Sequence, residues 1–147
     1  ANQGVFYYYY PDNQTLTDFY LTLQVRKVDG PLDSDYGLVF RLLGNQLIYF
    51  SIQDSGWVKV YPRDTEKNWQ PALFNGYSQA IKAGESNDLV VLGQDGHYIF
   101  CVNRFVVGEV NNSGYLSGKF GLGVELENAN DKATFEFDDF IIYAPAK

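Results

Sequence analysis

Residues 86–110, SNDLVVLGQDGHYIFCVNRFVVGEV, carry the sequence pattern that decides the fold. Three short apolar runs typical of β-strands lie within this stretch: Leu89 to Leu92, Tyr98 to Val102 and Phe105 to Val110. Gln94-Asp95-Gly96 joins the first two runs and supplies the glycine of a tight hairpin turn, and Asn103-Arg104 joins the last two. This alternation predicts an antiparallel β-meander.

The rest of the chain repeats the alternation of strand-like runs and turn residues. The other runs are Val5 to Tyr10, Phe19 to Val28, Gly37 to Leu43, Leu47 to Gln53, Trp57 to Tyr61, Phe120 to Leu126 and Thr134 to Tyr143. Residues 62–84 are the least regular stretch, and we interpret them as a long excursion. No run has sustained helical spacing, so the sequence predicts an all-β, two-sheet antiparallel sandwich in a single domain, residues 1–147.

Composition and charge narrow the classes of function. The chain has 147 residues, of which 46% are hydrophobic, and it can therefore bury a substantial core. A net charge of −7 without a Lys or Arg run argues against nucleic acid as a partner, and no apolar run is long enough to predict membrane insertion.

Cys101 has no partner for an intrachain disulfide, and we interpret it as a packing residue. Because the chain begins with Ala1 and has no basic-then-apolar leader, we expect it to be a mature or excised piece of a longer protein.

The alternation along residues 37–61 assigns side chains to two opposite faces. The face expected in the core carries Leu38, Phe40, Leu42, Ile48, Phe50, Ile52, Val58 and Val60. The opposite face is expected to carry Val39, Arg41, Tyr49, Ser51, Gln53, Trp57, Lys59 and Tyr61. That second face mixes aromatic rings with hydrogen-bonding groups, which makes it the candidate binding surface.

Several short motifs, taken in their order along the chain, resemble a known superfamily. They are Asp18-Phe19, Gly37-Leu38-Val39-Phe40-Arg41, Tyr49-Phe50, Asn87-Asp88-Leu89, Val102-Asn103, Gly118-Lys119-Phe120-Gly121-Leu122 and Phe137-Asp138-Asp139-Phe140. The ordered set, over roughly residues 15–143, resembles the concanavalin A-like lectin/glucanase jelly rolls of bacterial surface and multidomain proteins, in the branch of laminin-G-like, keto-disaccharide-hydrolase-like and carbohydrate-binding modules. The resemblance implies two antiparallel sheets, one of them concave and often ligand-bearing. Relatives commonly have Asn-Gly where this chain has Asn103-Arg104, so we expect a different or strained turn there.

The resemblance alone does not select a function, since members include lectins, glycan-binding modules, glycosidases and adhesion domains. From the residues we predict a non-catalytic, extracellular or cell-surface module that binds carbohydrate, because sugar rings stack on aromatic side chains while polar groups orient their hydroxyls. The candidate ligand-binding residues are Arg41, Tyr49, Gln53, Trp57, Tyr61, Trp69 and Glu125. An equally weighted alternative is that residues 62–84 cover Trp57 and Tyr49, which then complete a second small core. Arg41 is expected to pair with a carboxylate, such as Glu125, or with the ligand.

Two other functions compete with sugar binding. Phe6-Tyr7-Tyr8-Tyr9-Tyr10 places rings on both faces of one strand, so an assembly or adhesion subunit that self-associates through Val5 to Tyr10 is the first alternative. A glycoside hydrolase that uses Glu125 and Glu127 is the second, although solvent-exposed acids explain the pair more simply.

Calcium is the one candidate cofactor, because acidic loops suit a hard cation. The candidate ligands are Asp29, Asp33 and Asp35 in one loop, and Asn128, Asn130 and Asp131 with Asp138 or Asp139 in another. Asp and Asn also populate loops because they form Asx-turns, so no metal is assigned from the sequence.

Overall fold

A computed structural model describes residues 3–7, 16–112, 114–128 and 130–145, with backbone only for 3–7. Eleven strands lie in these ranges: β1 (Gln3–Tyr7), β2 (Phe19–Asp29), β3 (Asp35–Leu43), β4 (Gln46–Ile52), β5 (Trp57–Arg63), β6 (Phe74–Tyr77), β7 (Asn87–Gln94), β8 (His97–Val102), β9 (Phe105–Asn111), β10 (Lys119–Leu126) and β11 (Thr134–Tyr143). No helix in the described ranges is long and apolar enough to cross a membrane. The predicted all-β class is confirmed.

The strands form two antiparallel sheets that enclose one main core. The six-stranded sheet has the order β1-β10-β3-β4-β5-β6, and the five-stranded sheet has the order β11-β2-β7-β8-β9. Alternate side chains of β2, β7 and β8 pack against those of β3, β4 and β5, as expected for a sandwich. β1, which covers part of the segment expected to self-associate, is an edge strand of the six-stranded sheet. Tyr8 to Tyr10, the rest of the predicted first strand, lie outside the described residues.

The meander of β7, β8 and β9 forms as the sequence predicts. Asp95 and Gly96 both have positive φ at the first turn. At the second turn Asn103 and Arg104 have φ of 51° and 74°, so Arg104 adopts the left-handed backbone that glycine would adopt more easily. The Asn103 amide donates to the carbonyl of Ala80 and to Asn87 Oδ1, both at 2.8 Å, which anchors this turn.

The 62–84 excursion is more ordered than predicted. Strand β5 continues through Pro62 to Arg63, and a short strand, β6, returns antiparallel to it. Between them, an isolated bridge pairs Arg63 with Trp69, which brings Trp69 back to the six-stranded sheet.

Arg41 interrupts the alternation of β3, and this corrects two of the predicted side-chain directions. Its φ is 55°, and the β3–β4 register shifts between Phe40 and Leu43. As a result the Arg41 side chain points into the main core with 0% exposure, and Leu42 joins a separate apolar cluster on the outer face. Gly118 crosses this bulge so closely that a Cβ there would lie 2.3 Å from the carbonyl carbon of Arg41.

Neutral oxygens and aromatic rings hold the buried guanidinium. Arg41 donates from Nε to Tyr98 Oη at 2.6 Å, from Nη1 to the carbonyl of Leu16 at 2.7 Å, and from Nη2 to the carbonyl of Thr17 at 2.5 Å. Its Cζ lies 5.2 Å from the ring centre of Phe19 and 5.3 Å from that of Tyr98. The expected pairing of Arg41 with Glu125 is therefore wrong, because among the described residues backbone carbonyls and a phenol hydroxyl accept its hydrogen bonds.

We predict that Arg41→Ala lowers the free energy of unfolding by about 3 kcal/mol, because it empties a fully buried site and leaves the buried Tyr98 hydroxyl and two part-buried carbonyl oxygens without this donor. Urea denaturation of wild type and variant measures this change. The control is Arg26→Ala, which removes an exposed guanidinium with one backbone hydrogen bond, to Gly84, and should cost less than about 1 kcal/mol. Equal losses in the two variants would contradict the structural role given to Arg41.

Candidate functional site

Three cross-strand rows on the outer face of the six-stranded sheet define the candidate site. In the first row Asp35 of β3 pairs with Glu125 of β10. In the second, Gly37 pairs with Ser51, and Ser51 pairs with Lys59.

The third row places Val39 beside Tyr49, and Tyr49 beside Tyr61. A row of glycine and serine therefore separates a carboxylate row from an aromatic row. The small middle row leaves room for a pocket.

The pocket has a volume of about 220 Å³ and an acidic side opposite an aromatic side. Its lining residues are Asp35, Tyr49, Ser51, Lys59, Tyr61, Trp69, Glu125 and Glu127. Gly37 must remain glycine for this arrangement, since a Cβ there would lie 2.1 Å from the carbonyl oxygen of Phe50.

Asp35 lies at the bottom of the acidic side and is only 2% exposed. Burial raises its pKa to about 7, although the charge of Lys59 and a hydrogen bond from Gln53 act in the opposite direction. Gln53 Nε2 donates to Asp35 Oδ1 at 3.0 Å, and Lys59 Nζ lies 3.5 Å from Oδ2. Asp35 is therefore a carboxyl group that exchanges its proton near neutral pH.

Glu125 and Glu127 complete the acidic side. Carboxylate oxygens of Asp35, Glu125 and Glu127 all lie within 4.8 Å of one another. Burial raises the pKa of Glu125, and the charge of Glu127 raises it further. Lys59 Nζ lies 3.9 Å from Glu127 Oε1, so one ammonium group ion-pairs with two of the three carboxyl groups.

Tyr49, Tyr61 and Trp69 form the aromatic side. Tyr49 is buried with Val39, Leu42 and Leu47, and the ring centre of Trp69 lies 6.3 Å from its own. Arg63, at the end of β5, also contacts the indole: its Cζ lies 5.6 Å from the Trp69 ring centre. Trp69 is nevertheless 42% exposed, so an apolar surface remains for a ligand.

The structure brings four of the seven predicted binding residues to this pocket: Tyr49, Tyr61, Trp69 and Glu125. Arg41 is not among them, because its side chain lies in the main core. Gln53 lies behind the pocket and orients Asp35. Trp57 lies on the same strand as Lys59 and Tyr61 but outside the pocket, where its ring packs on Tyr77 with ring centres 4.0 Å apart.

Sequence reasoning did not place Asp35, Ser51, Lys59 or Glu127 in the binding site. Alternation had put Ser51 and Lys59 on the correct face, and their proximity to Tyr49 and Tyr61 was the signal that could have identified them. Asp35 had no such signal, because its pairing with Glu125 depends on the β3–β10 register.

The oxygens of Asp35, Glu125 and Glu127 could serve as ligands of a hard cation such as calcium. Two of the predicted loop ligands make local hydrogen bonds. Asp29 Oδ1 accepts from the backbone N–H of Gly30, and Asp131 Oδ2 accepts from the backbone N–H of Asn128.

The pKa of Asp35 predicts how stability depends on pH. The folded carboxyl group keeps its proton up to about pH 7, whereas in the unfolded chain it loses the proton near the ordinary value of 3.8. Folding therefore binds a proton between these values, and the stability contributed at low pH is lost as the pH rises from about 4 to 7, by about 2–4 kcal/mol.

Asp35→Asn should flatten this dependence and raise the stability of the folded state at pH 7.5. Urea denaturation at intervals between pH 4.5 and 8 measures both effects. Asp33→Asn, an exposed neighbour, is the control for the change in charge. An unchanged pH profile in Asp35→Asn would contradict the assigned proton exchange.

Comparisons with known proteins relate this architecture to sugar-binding and polysaccharide-acting proteins. No protein-family model matches the chain, and no curated protein matches it by sequence. The carbohydrate binding module CBM66 from Bacillus subtilis superposes with a TM-score of 0.72 at 13% identity, covering 89% of this chain and 78% of that one. Sheep galectin-11, solved with glycerol, has a TM-score of 0.64 at 15% identity, with 97% and 96% covered.

The alginate lyase A1-II′, of polysaccharide lyase family 7, has a TM-score of 0.66 at 13% identity, covering 87% of this chain and 62% of that one. Identities this low establish the fold and not the activity. The chain has the concanavalin A-like jelly-roll fold that its motifs resemble.

Proposed function

We propose that this protein is a non-catalytic carbohydrate-binding module and that the pocket between Trp69 and Glu125 is its binding site. The observation that carries the proposal is the pairing of an exposed indole with carboxyl and hydroxyl groups on the opposite side of one pocket. A sugar-binding site uses both an aromatic surface and polar groups, because the faces of a pyranose ring are apolar and its rim carries hydroxyls. The sugar-binding proteins among the structural neighbours support the proposal.

Each side of the pocket has a role in this proposal. Trp69 and Tyr61 contact the sugar ring, while Glu125, Glu127 and Lys59 exchange hydrogen bonds with its hydroxyls. Asp35 and Ser51 form the polar bottom. The proposed location is extracellular or at the cell surface, where glycans are the available ligands.

A glycan array on the purified domain tests this function, run once with calcium and once with EDTA. Trp69→Ala should weaken binding of the selected glycan at least about tenfold, because it removes the aromatic contact at the centre of the site. The thermal midpoint should fall less than for a fully buried residue, since Trp69 is 42% exposed. Loss of binding in EDTA, restored by calcium, would identify a metal-dependent site.

Trp57→Ala is the matched comparison, because it removes an indole from the same sheet face outside the pocket. We expect less than about threefold weakening from it. Loss of binding in Trp57→Ala with retention in Trp69→Ala would move the site to the Trp57 and Tyr77 rings and overturn the proposed location. An array without any bound glycan would overturn the function.

Glycoside hydrolysis is the second candidate, and the close carboxyl groups favour it. Retaining glycosidases use two carboxyl groups about 5–5.5 Å apart, one protonated and one ionised. Oxygens of Glu125 and Glu127 lie within 4.8 Å, and the pKa of Glu125 is raised, which suits the acid of such a pair.

If hydrolysis is the function, reducing ends should appear on incubation with the bound oligosaccharide, and Glu125→Gln should lower the rate at least about 100-fold. Release of reducing ends at equal rates by wild type and Glu125→Gln would exclude this pair as the catalyst. Glycan binding without any release favours the non-catalytic module.

A further inference from the structure

We infer that the pocket selects sugars that carry a free amino group over otherwise identical sugars that carry a hydroxyl or an acetamido group, and that it rejects uronic acids. This inference rests on the proposed function, because it specifies the ligand class of the same pocket. It follows from the charges that line the pocket and from the contacts that these charges make.

The pocket contains more anionic groups than its cation can neutralise. Lys59 lies 3.5 Å from Asp35 Oδ2 and 3.9 Å from Glu127 Oε1, both longer than a close charge-assisted hydrogen bond. Glu125 pairs in register with Asp35, and its carboxyl oxygen lies within 4.8 Å of a carboxyl oxygen of Asp35 and of Glu127. Because Asp35 keeps its proton up to about pH 7, the carboxyl groups that attract a second cation at pH 6 are those of Glu125 and Glu127, while one ammonium repels it.

Burial makes this attraction stronger than it would be at an open surface. Asp35 is 2% exposed, and Glu127 keeps only 30% of its side-chain exposure. Water screens charges less in such surroundings, so an ammonium that enters the pocket gains more than at a fully solvated carboxylate. The carboxylates also repel each other, and an ammonium between them relieves that repulsion.

The aromatic side favours the same ligand class. Trp69 and Tyr61 offer ring surfaces within the same pocket of about 220 Å³, and aromatic rings attract cations as well as the apolar face of a sugar. An amino sugar presents both features, because its ring carbons are apolar and its ammonium is charged. A carboxylate on the sugar would instead face the carboxyl groups of Glu125 and Glu127 in a protein of net charge −7.

Four monosaccharides that differ at one position test the inference: glucose, glucosamine, N-acetylglucosamine and glucuronic acid. Each is titrated at pH 6, where the free amine is protonated, and resonances of the Trp69 indole report binding. We expect glucosamine to bind roughly tenfold more tightly than glucose, because its ammonium adds one charge-assisted contact in the pocket. We expect glucuronic acid to bind less tightly than glucose. N-acetylglucosamine should bind no more tightly than glucose by charge alone.

Charge-neutral variants locate the source of the preference. Glu125→Gln and Glu127→Gln preserve side-chain size and should each reduce the glucosamine-to-glucose ratio at least about threefold, while glucose binding changes less. Glu136→Gln removes the same charge from an exposed position on β11, in the other sheet, and should leave the ratio unchanged. A fall in the ratio for all three variants would assign the preference to overall charge and overturn the inference.

The outcomes separate this inference from the proposed function. Equal binding of glucose and glucosamine by the wild type would overturn the amine preference and leave a sugar-binding pocket. Failure of all four sugars, together with a blank glycan array, would overturn both. Binding of glucosamine with a ratio that responds to Glu125 and Glu127 but not to Glu136 would support both.

Discussion

The buried guanidinium of Arg41 is the interaction on which the rest of the structure depends. It belongs to β3, in the middle of the six-stranded sheet, yet it hydrogen-bonds to Tyr98 in the five-stranded sheet and to the chain that leads into β2. Tyr98 in turn donates to the carbonyl of Tyr115, so the same cluster holds the loop that leads to β10. Within the described residues no carboxylate pairs with this charge, and three of its N–H groups donate to oxygens instead. The Arg41 side chain therefore connects the two sheets, and through Tyr98 it connects β3 to the loop that precedes β10.

The bulge that turns Arg41 inward also shapes the outer face. Leu42 is turned outward and packs with Val39, Leu47 and Tyr49, which gives Trp69 an apolar surface to cover. Below this cluster the pleat of β3 keeps its normal alternation, so Asp35 and Gly37 face the same side as Tyr49. One end of β3 therefore contributes Asp35 to the site, while Arg41, near its other end, is buried in the core. The sheet register separates the acidic side from Tyr49 and Tyr61, and the segment that follows β5 adds Trp69 to the aromatic side.

The sequence predicted the strands well because most of them follow the alternation that burial imposes on a two-sheet sandwich. It predicted the face of Tyr49, Ser51, Lys59 and Tyr61 for the same reason. It placed Arg41 and Leu42 on the wrong faces, because one positive φ reverses the alternation and nothing in the local pattern marks it. The site was predicted only in part: Glu125 and Trp69 were identified, whereas Asp35 and Glu127 were not, because their place in the pocket depends on how distant segments meet. The β3–β10 register brings Asp35 beside Glu125, and the return of the 62–84 segment brings Trp69 to the sheet; both depend on tertiary contacts.

The proposed glycan site is the pocket on the six-stranded sheet. Backbone and indole chemical shifts recorded during titration with an array-selected glycan locate the binding surface, because they compare every surface of the protein in one experiment. We expect the largest changes at Ser51, Lys59, Tyr61 and the Trp69 indole. Changes concentrated instead at Tyr20, Leu92 and Tyr143, which line a larger apolar pocket on the five-stranded sheet, would contradict it.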